Sequence, residues 1–582
     1  MKKYAGFIHT GTDNLDSDTK RYYYYCNFLV GAGTSTYQEY KHFNGYWTLG
    51  AYMPPAKAML TIGTIDSKDQ RIFWSGSGPL YDGRIKPEIM DIGDSLTSTM
   101  MDNSYSSYYS DINSSTTIAA GVISKLKQRY QCQYNERPSA MLIRSIVTNT
   151  TDDMHLPGPD HLTGFGKINA RRAAEVIDNG WFFPTDTFLP VLLSRLPPYY
   201  DAYVDYWPMD TIDRKITITD NDVKQLKVLL QYFDEPTGFA GVNSIYPSIT
   251  LDINLQVIDQ NGKIYSPYTF PREWQDSNFY KKPAIKGVDS VQTIEQVVVD
   301  LPKGEYIIRT TLKTIFWDPW GPENDTVQSF EISYYLQKNE FIFTYPWGDE
   351  SLVPGMYTTI RWDYYNHENK GQNIDLKFSS DGGNSWTKIA TVPDSINYYI
   401  WKIPNIISGE CLLKTEVVFD SKKETITSKQ FSIMKQIPIE LIKKKGYKKS
   451  VLLEFDSLGY SNCRYEAYFI DTNRTLVGTS TNQELLIKGL KNDSSYLFCV
   501  RAIDTITNAI GMFSIADTIS PDSSNGTYTP IGTQEYQKKE ITIYQSDNII
   551  TILPQDNQSI DNIQCFDVSG KLLFTTQNLR LD

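Results

Sequence analysis

Side chains able to do chemistry are few and scattered in this 582-residue chain. The five histidines, His9, His42, His155, His161 and His367, stand singly, and none forms the HExxH pair that sets two imidazoles on one helix face for zinc. The six cysteines, Cys26, Cys132, Cys411, Cys463, Cys499 and Cys565, include no CxxC and are too widely spaced for a disulfide framework. His155 and His161 flank Gly158-Pro159-Asp160 and read as loop residues, while His9 and His42 lie among polar neighbours and read as solvated. Asp381-Gly382-Gly383 supplies one carboxylate, short of the six or more oxygens that calcium takes, so it reads as a hairpin turn. Gly78, Gly83, Gly164 and Gly166 read as turn positions needing positive φ, not as a phosphate cradle. What remains is a hydroxyl string, Ser115-Thr116-Thr117, running into an apolar helical stripe. Neither a cofactor nor a metal is expected.

The elements that must position that string are legible by pattern. Phe28–Val30 is a short apolar run ending in Gly31-Ala32-Gly33, and Ala58–Ile65 is a second; fully apolar strands suit a parallel sheet covered on both faces. From Thr116 the stripe Ile118, Ala119, Val122, Ile123 and Leu126 predicts a helix. Pro138 is expected to open another, as a first-turn residue, and Asn169 to cap a third over Ala170–Ile177. Lys and Arg total 56 against 68 Asp and Glu, a net charge of −12 that disfavours a nucleic-acid partner. No run approaches the ~20 apolar residues of a membrane span. Met1-Lys2-Lys3 starts like a signal peptide, but Thr10–Lys20 is polar where an apolar core belongs. Either the protein stays inside the cell, or its natural beginning lies further upstream.

Several strings together resemble the distal half of a subtilisin-family (S8, subtilase) catalytic domain. They are Ser75–Pro79, Asp82–Glu88, Ser115–Ala120, Gly158-Pro159-Asp160 and Thr163–Ala170, in the family's order and spacing across roughly residues 25 to 180. The resemblance implies a serine endopeptidase whose nucleophile stands in a Gly-Thr-Ser-Met-Ala-Ala-Pro string at a helix N-terminus. Here that string reads Ser115-Thr116-Thr117-Ile118-Ala119-Ala120-Gly121, which puts Thr117 at the nucleophile position. A β-methyl there restricts χ1 and crowds in-line attack. The plainer reading makes Thr117 a helix N-terminal residue whose oxygen satisfies a backbone amide. Val30–Thr34 resembles the strand carrying the family's oxyanion asparagine, which would fall on Thr34; losing such a donor costs about 3 kcal/mol of transition-state stabilisation. The family's Asp and His come earlier in the chain, yet only His9 precedes Thr34 and no His-Gly or Asp-Gly string does.

The remainder reads as β modules. Residues 1–183 are taken as the C-terminal part of the peptidase domain and 184–222, punctured by Pro184, Pro190, Pro197 and Pro198, as a connection. Over 223–336 short alternating strands predict an antiparallel sandwich, similar to the jelly roll that follows many subtilisin-like domains. Residues 340–434 resemble an immunoglobulin-like module with Trp362 and Trp401 in its core. Residues 437–520 resemble a fibronectin type III module, in which Cys463 and Cys499 lie on neighbouring strands, either bonded or as a reduced apolar pair. A Ser, Asn and Gly linker over 521–538 leads to 539–582, which resembles the sorting domain of the type IX secretion route in Bacteroidota. The expected fold is therefore multidomain: a partial α/β subtilisin-like domain with a parallel sheet, then several all-β sandwiches.

The leading expectation is a subtilisin-like serine endopeptidase homologue, N-terminally truncated or degenerate and inactive as this chain. One alternative is a non-enzymatic extracellular or cell-surface binding and adhesion protein; another is the C-terminal fragment of a split peptidase that gains Asp and His from an upstream-encoded piece. Partners would be a polypeptide substrate if a complete catalytic domain exists, and otherwise an extracellular protein or glycan.

Overall fold

The computed structural model describes residues 25–34, 46–49, 56–80, 82–99, 105–188, 210–234, 249, 251–270, 281–314, 328–368, 371–435, 442–455, 462–470, 474–514, 516–528, 541–546, 549–554, 560–566 and 572–579. The chain divides into two units: Met1–Phe341 with 363–372 and 418–424, and the rest.

In the first unit, β1 (Leu29–Gly31), β2 (Leu60–Ile65) and β3 (Ile89–Ile92) form a parallel sheet in that order, Leu29 facing Leu60 and Ile62 facing Ile89. Every residue of β2 is buried, as its apolar and small-residue composition predicts. A short antiparallel pair, β4 (Leu96–Thr99) and β5 (Tyr105–Tyr109), leads into helix α1 (Ile112–Tyr134). Asp111 caps α1 by accepting from Asn113 N, and Asn135 ends it in the left-handed region, φ 56°. The helix thus starts four residues before Thr116, and its buried stripe is Ile112, Ser115, Ala119, Ile123, Leu126 and Tyr130. Ile118 faces solvent. Helix α2 (Ala140–Asn149) is capped by Ser139, whose Oγ accepts from Leu142 N at 2.9 Å, so Pro138 stands just outside the helix instead of in its first turn. Helix α3 (Ala170–Asn179) has the expected Asn169 cap.

The same unit holds a two-sheet antiparallel sandwich built from β6 (Asp186–Phe188), β7 (Asp210–Ile218), β8 (Val223–Tyr232), β9 (Leu251–Asp259), β10 (Ile264–Tyr265), β11 (Tyr268–Thr269), β12 (Ile285–Lys286), β13 (Ile294–Asp300), β14 (Gly304–Thr314) and β15 (Gln328–Lys338). One sheet runs β10-β9-β14-β7 and the other β13-β8-β15-β6, with β11 and β12 as a separate pair. The expected alternation in β9 holds, with Ile253, Leu255 and Val257 all buried. Residues 184–222 are more than a connection. They contribute β6 and β7, paired with β15 and β14, because a proline-rich stretch still admits strands between its prolines. All ten residues of α2 are buried, since this helix packs against β8 and β15 while its other side joins the core around Leu60, Ile62 and Ile89. Helix α2 is therefore where the parallel sheet meets the sandwich, and three buried cations around it are paired: Lys86 Nζ meets Glu88 Oε1 at 2.5 Å, Arg144 bonds the same oxygen, and Lys57 meets Asp234 at 2.8 Å.

Among its described residues the second unit is built of β-strands with one short 3-10 helix, Ser523–Asn525. Trp362 and Trp401 are buried, as expected of that module's core. The Asp381 turn links the strands Asn373–Ser379 and Thr387–Pro393, with Gly382 and Gly383 at φ 67° and 94°. Its carboxylate accepts from Ser379 Oγ, Ser385 N and Ser385 Oγ, which hold its pKa down to about 2. The next module pairs Ile442–Tyr447, Ser450–Phe455 and Glu484–Lys488 in one sheet and Thr475–Ser480, Cys463–Phe469, Tyr496–Asp504 and Asp517–Ile519 in the other. Cys463 and Cys499 do lie on neighbouring strands, but Cys463 faces Asp504 and Cys499 faces Tyr468, so both stay reduced. Part of the expected linker is held down: Asp522 N donates to Tyr447 O and Lys448 N to Gly526 O. Within 539–582 two antiparallel pairs are described, Ile541–Ser546 with Ile549–Pro554 and Ile560–Phe566 with Leu572–Leu579.

Candidate functional site

The carboxyl ends of parallel strands are where α/β sheets place ligands, because the helix N-termini gather there. In this sheet all three strands converge on the start of α1. A Cβ added to Gly31, at the end of β1, would lie 2.7 Å from Ile112 Cγ1. Thr64 of β2 shares a 2.9 Å hydroxyl hydrogen bond with Ser115. Just beyond β3, Gly93 O accepts from Asp111 N at 3.1 Å, and a Cβ there would meet Asp111 O and Ser115 N. Glycine at 31 and 93 is thus required by close approach of the helix.

Thr34 follows β1 at this same end. It is exposed, and its backbone is bridged to Ser75. Behind it, Gly76 N donates to Gly33 O at 2.9 Å, and a Cβ on Gly76 would collide with Ala32 O at 2.2 Å, so the Ser75–Pro79 string is a packing device for the end of β1. Thr117 is not at the helix start. It is the sixth residue of α1, about 9 Å along the axis from Asp111, exposed, with Oγ1 donating to Asn113 O at 2.7 Å. That bond is made to a carbonyl within the helix, so the expected satisfaction of an N-terminal amide is replaced by back-bonding one turn down.

The groups that do surround the helix start were not singled out from sequence: Asp94, Ser110, Asp111, Asn113 and Ser114. Ser110 Oγ donates to Asp94 Oδ1 at 2.6 Å and accepts from Ser95 N at 3.0 Å. The Asp111 carboxylate accepts from Asn113 N, and its backbone carbonyl from Ser114 N, so these two early helix amides are taken. Ser115 is buried, and its hydroxyl donates to Ile112 O. The missed signal was the Asp111 cap: an Asx residue immediately before an apolar-periodic run marks a helix start better than the hydroxyl string inside it. Among the described residues, no histidine ring hydrogen-bonds a hydroxyl of this first turn. His161 is fully buried against Phe270, ring centroids 4.2 Å apart, and burial drives its pKa down to about 3; His155 is exposed in its loop. His161 is thus an interior group and His155 a solvated one, while His9 and His42 fall outside the described residues. Asp91 on β3 is buried, and desolvation raises it to about 7 against the opposing effects of Ile92 N and Lys167. No group of three or more His, Cys, Asp or Glu able to hold a metal occurs among the described residues.

Residues 38–166 match the subtilase family (peptidase S8). That segment contains β2, β3, α1 and α2, so the match covers two of the sheet's three strands, the helix start and the buried helix, while β1 and Thr34 precede it. No curated protein matches the chain. Among solved structures it is similar to the patellamide maturation protease PatA, at 19% identity and TM-score 0.24 over 30% of this chain and 60% of that one. It is also similar to the prenylagaramide maturation protease PagA, at 16% identity and TM-score 0.23 over 30% and 59%. A two-domain fibronectin type III segment of chicken tenascin is similar at 11% identity and TM-score 0.20, over 31% of this chain and 98% of the segment. The chain spans about 60% of the length of the two proteases. No described helix is long and apolar enough to cross a membrane.

Proposed function

We propose that this chain is a subtilase-type scaffold that does not hydrolyse peptides on its own, its β modules serving as binding or spacing units outside the cell. The observation that carries this reading is the closed N-terminus of α1. A subtilase-like mechanism needs a hydroxyl nucleophile there and free donors for the oxyanion. Here the Asp111 carboxylate occupies the positive end of the helix and would repel a developing oxyanion. Thr117 is a turn and a half away with its hydroxyl engaged, and Thr34 offers a hydroxyl in place of the longer asparagine amide. Ser114 is the first-turn hydroxyl nearest to solvent, and no described imidazole stands ready to take its proton.

The purified chain is expected to leave unfolded casein intact and not to react with a fluorophosphonate probe; Thr117→Ser, alone and with Thr34→Asn, is expected to stay unreactive. Labelling of the wild-type chain that disappears in Ser114→Ala or Thr117→Ala would overturn the reading. Labelling gained only when an upstream-encoded fragment is added would support the split enzyme instead.

A further inference from the structure

Among the described residues of the second unit, the strand Tyr398–Lys402 lies at the edge of a three-stranded sheet, hydrogen-bonded to Tyr357–Tyr365 with Tyr357 opposite Lys402 and Arg361 opposite Tyr398. Trp362 N donates to Asn397 O at 3.1 Å and Ile403 N to Met356 O at 2.9 Å, so the odd-numbered residues carry the inward hydrogen bonds. Antiparallel ladders alternate, which leaves the N–H and C=O groups of Tyr398, Ile400 and Lys402 directed outward along the edge. The side chains of these same residues lie on the sheet's outer face, where Ile400 is 48% exposed and the neighbouring Tyr357 69%. The strand contains no proline, and Lys402 at its end is its single charge. Edges this apolar are templates for pairing.

The strand is also complementary to itself. Turned antiparallel about Ile400, it sets Ile400 opposite Ile400 and Tyr398 opposite Lys402, with all the outward amides matched in hydrogen-bonded pairs. Lys402 already lies 6.0 Å from the Tyr357 ring, so it would sit between two tyrosine rings, one from each copy. Across the joined sheets the rows would read Arg361, Tyr398, Lys402, Tyr357, alternating cation and ring. Slipping the register by two residues one way puts Pro404, which has no N–H, opposite Tyr398; slipping it the other way pairs Lys402 with Ile396 and loses the ring. We infer that Tyr398–Lys402 pairs antiparallel with the same strand of a second copy of this chain, joining the two sheets across a two-fold axis at Ile400. This goes beyond the proposed function and does not rest on it.

Sedimentation velocity of the full chain tests the inference. A monomer–dimer equilibrium is expected, and Ile400→Lys, which sets two ammonium groups face to face, is expected to raise the dimer Kd by roughly tenfold or more. Facing residues in a hydrogen-bonded pair have Cα atoms about 5.5 Å apart, within disulfide reach. Ile400→Cys should therefore link under mild oxidation, and mass spectrometry of digested dimer should show position 400 joined to position 400. Lys402→Cys, about 13 Å from its counterpart in this register, should not link to itself. The Cys variants carry the test if Ile400→Lys fails to fold. A chain monomeric at every concentration, a dimer unchanged by Ile400→Lys with a wild-type circular dichroism melt, or linkage at 402 as fast as at 400 would overturn the proposal.

Discussion

Replacing Glu88 by glutamine probes the interior of the first unit most sharply. Glu88 is 2% exposed and receives three donors: Lys86 Nζ at 2.5 Å, an Arg144 guanidinium nitrogen, and Thr61 N at 2.8 Å. The cations are anchored elsewhere too, Lys86 on Met59 O at 2.7 Å and Arg144 on Lys57 O at 2.8 Å, so neither can swing to water. Two buried cations share one anion, and removing that anion from such a cluster costs about 3–5 kcal/mol. At roughly 2 °C per kcal/mol for a body of this size, Tm should fall by about 6–10 °C. Burial already lowers Lys86 to about 8, with Glu88 opposing and Arg144 assisting. Without Glu88 its folded pKa falls further, and a lysine whose folded pKa is depressed binds fewer protons folded than unfolded. Stability then rises with pH over that window, so the deficit against wild type should narrow as pH climbs toward about 8. Replacing the triad by Lys86→Met, Glu88→Leu and Arg144→Met should recover part of that loss, because no charge is left buried, while Thr61 N, Met59 O and Lys57 O each lose a side-chain partner. Calorimetry decides: a Tm loss under about 2 °C at neutral pH, in a protein with wild-type circular dichroism, would refute the reasoning.

Burial raises Asp91 and Asp252 each to about 7, above an unfolded value near ~4; the stability they confer is full below that value and is lost as pH rises through about 7, so Asp252→Asn should flatten the pH dependence of thermal melts and raise Tm at alkaline pH. Residues 1–182 expressed alone should aggregate, because α2 would lose the cover of β8 and β15; a cooperative melt with monomeric sedimentation would count against this. Cys463 and Cys499 face partners five positions apart along their strands, about 17 Å, so intact mass under denaturing, non-reducing conditions should show two free thiols there.

Much of the fold could be read from local pattern. The buried run of β2, the alternation of β9 and the Asn169 cap all followed from side-chain chemistry repeated at the right period. The start of α1 did not, because the apolar stripe is thin in its first turn and the hydroxyls of Ser115, Thr116 and Thr117 imitate a cap; Asp111 was the deciding residue. Strands β6 and β7 were hidden by flanking prolines and by partners more than 80 residues away. Similarly, no local pattern distinguishes a helix covered on one side from α2, which is covered by sheets on both. At the candidate site, the sequence directed attention to the end of β1 and to α1, but the groups around the helix start are there because three separate strands end at it.

The burial of α2 on both sides also has a cost in time. Its second cover is complete only when β15, ending at Lys338, has been made, about 190 residues after Asn149. At ~5–20 residues per second a ribosome needs about 10–40 s to supply it. Throughout that interval Ser145 and Asn149, whose partners Leu229 O, Lys227 O and Ser333 come from β8 and β15, face cover that is not yet complete, in a nascent chain whose collapse would otherwise be faster by orders of magnitude. The side of α2 that meets β8 and β15 therefore stays open, to water or to other chains, until Lys338 has been added.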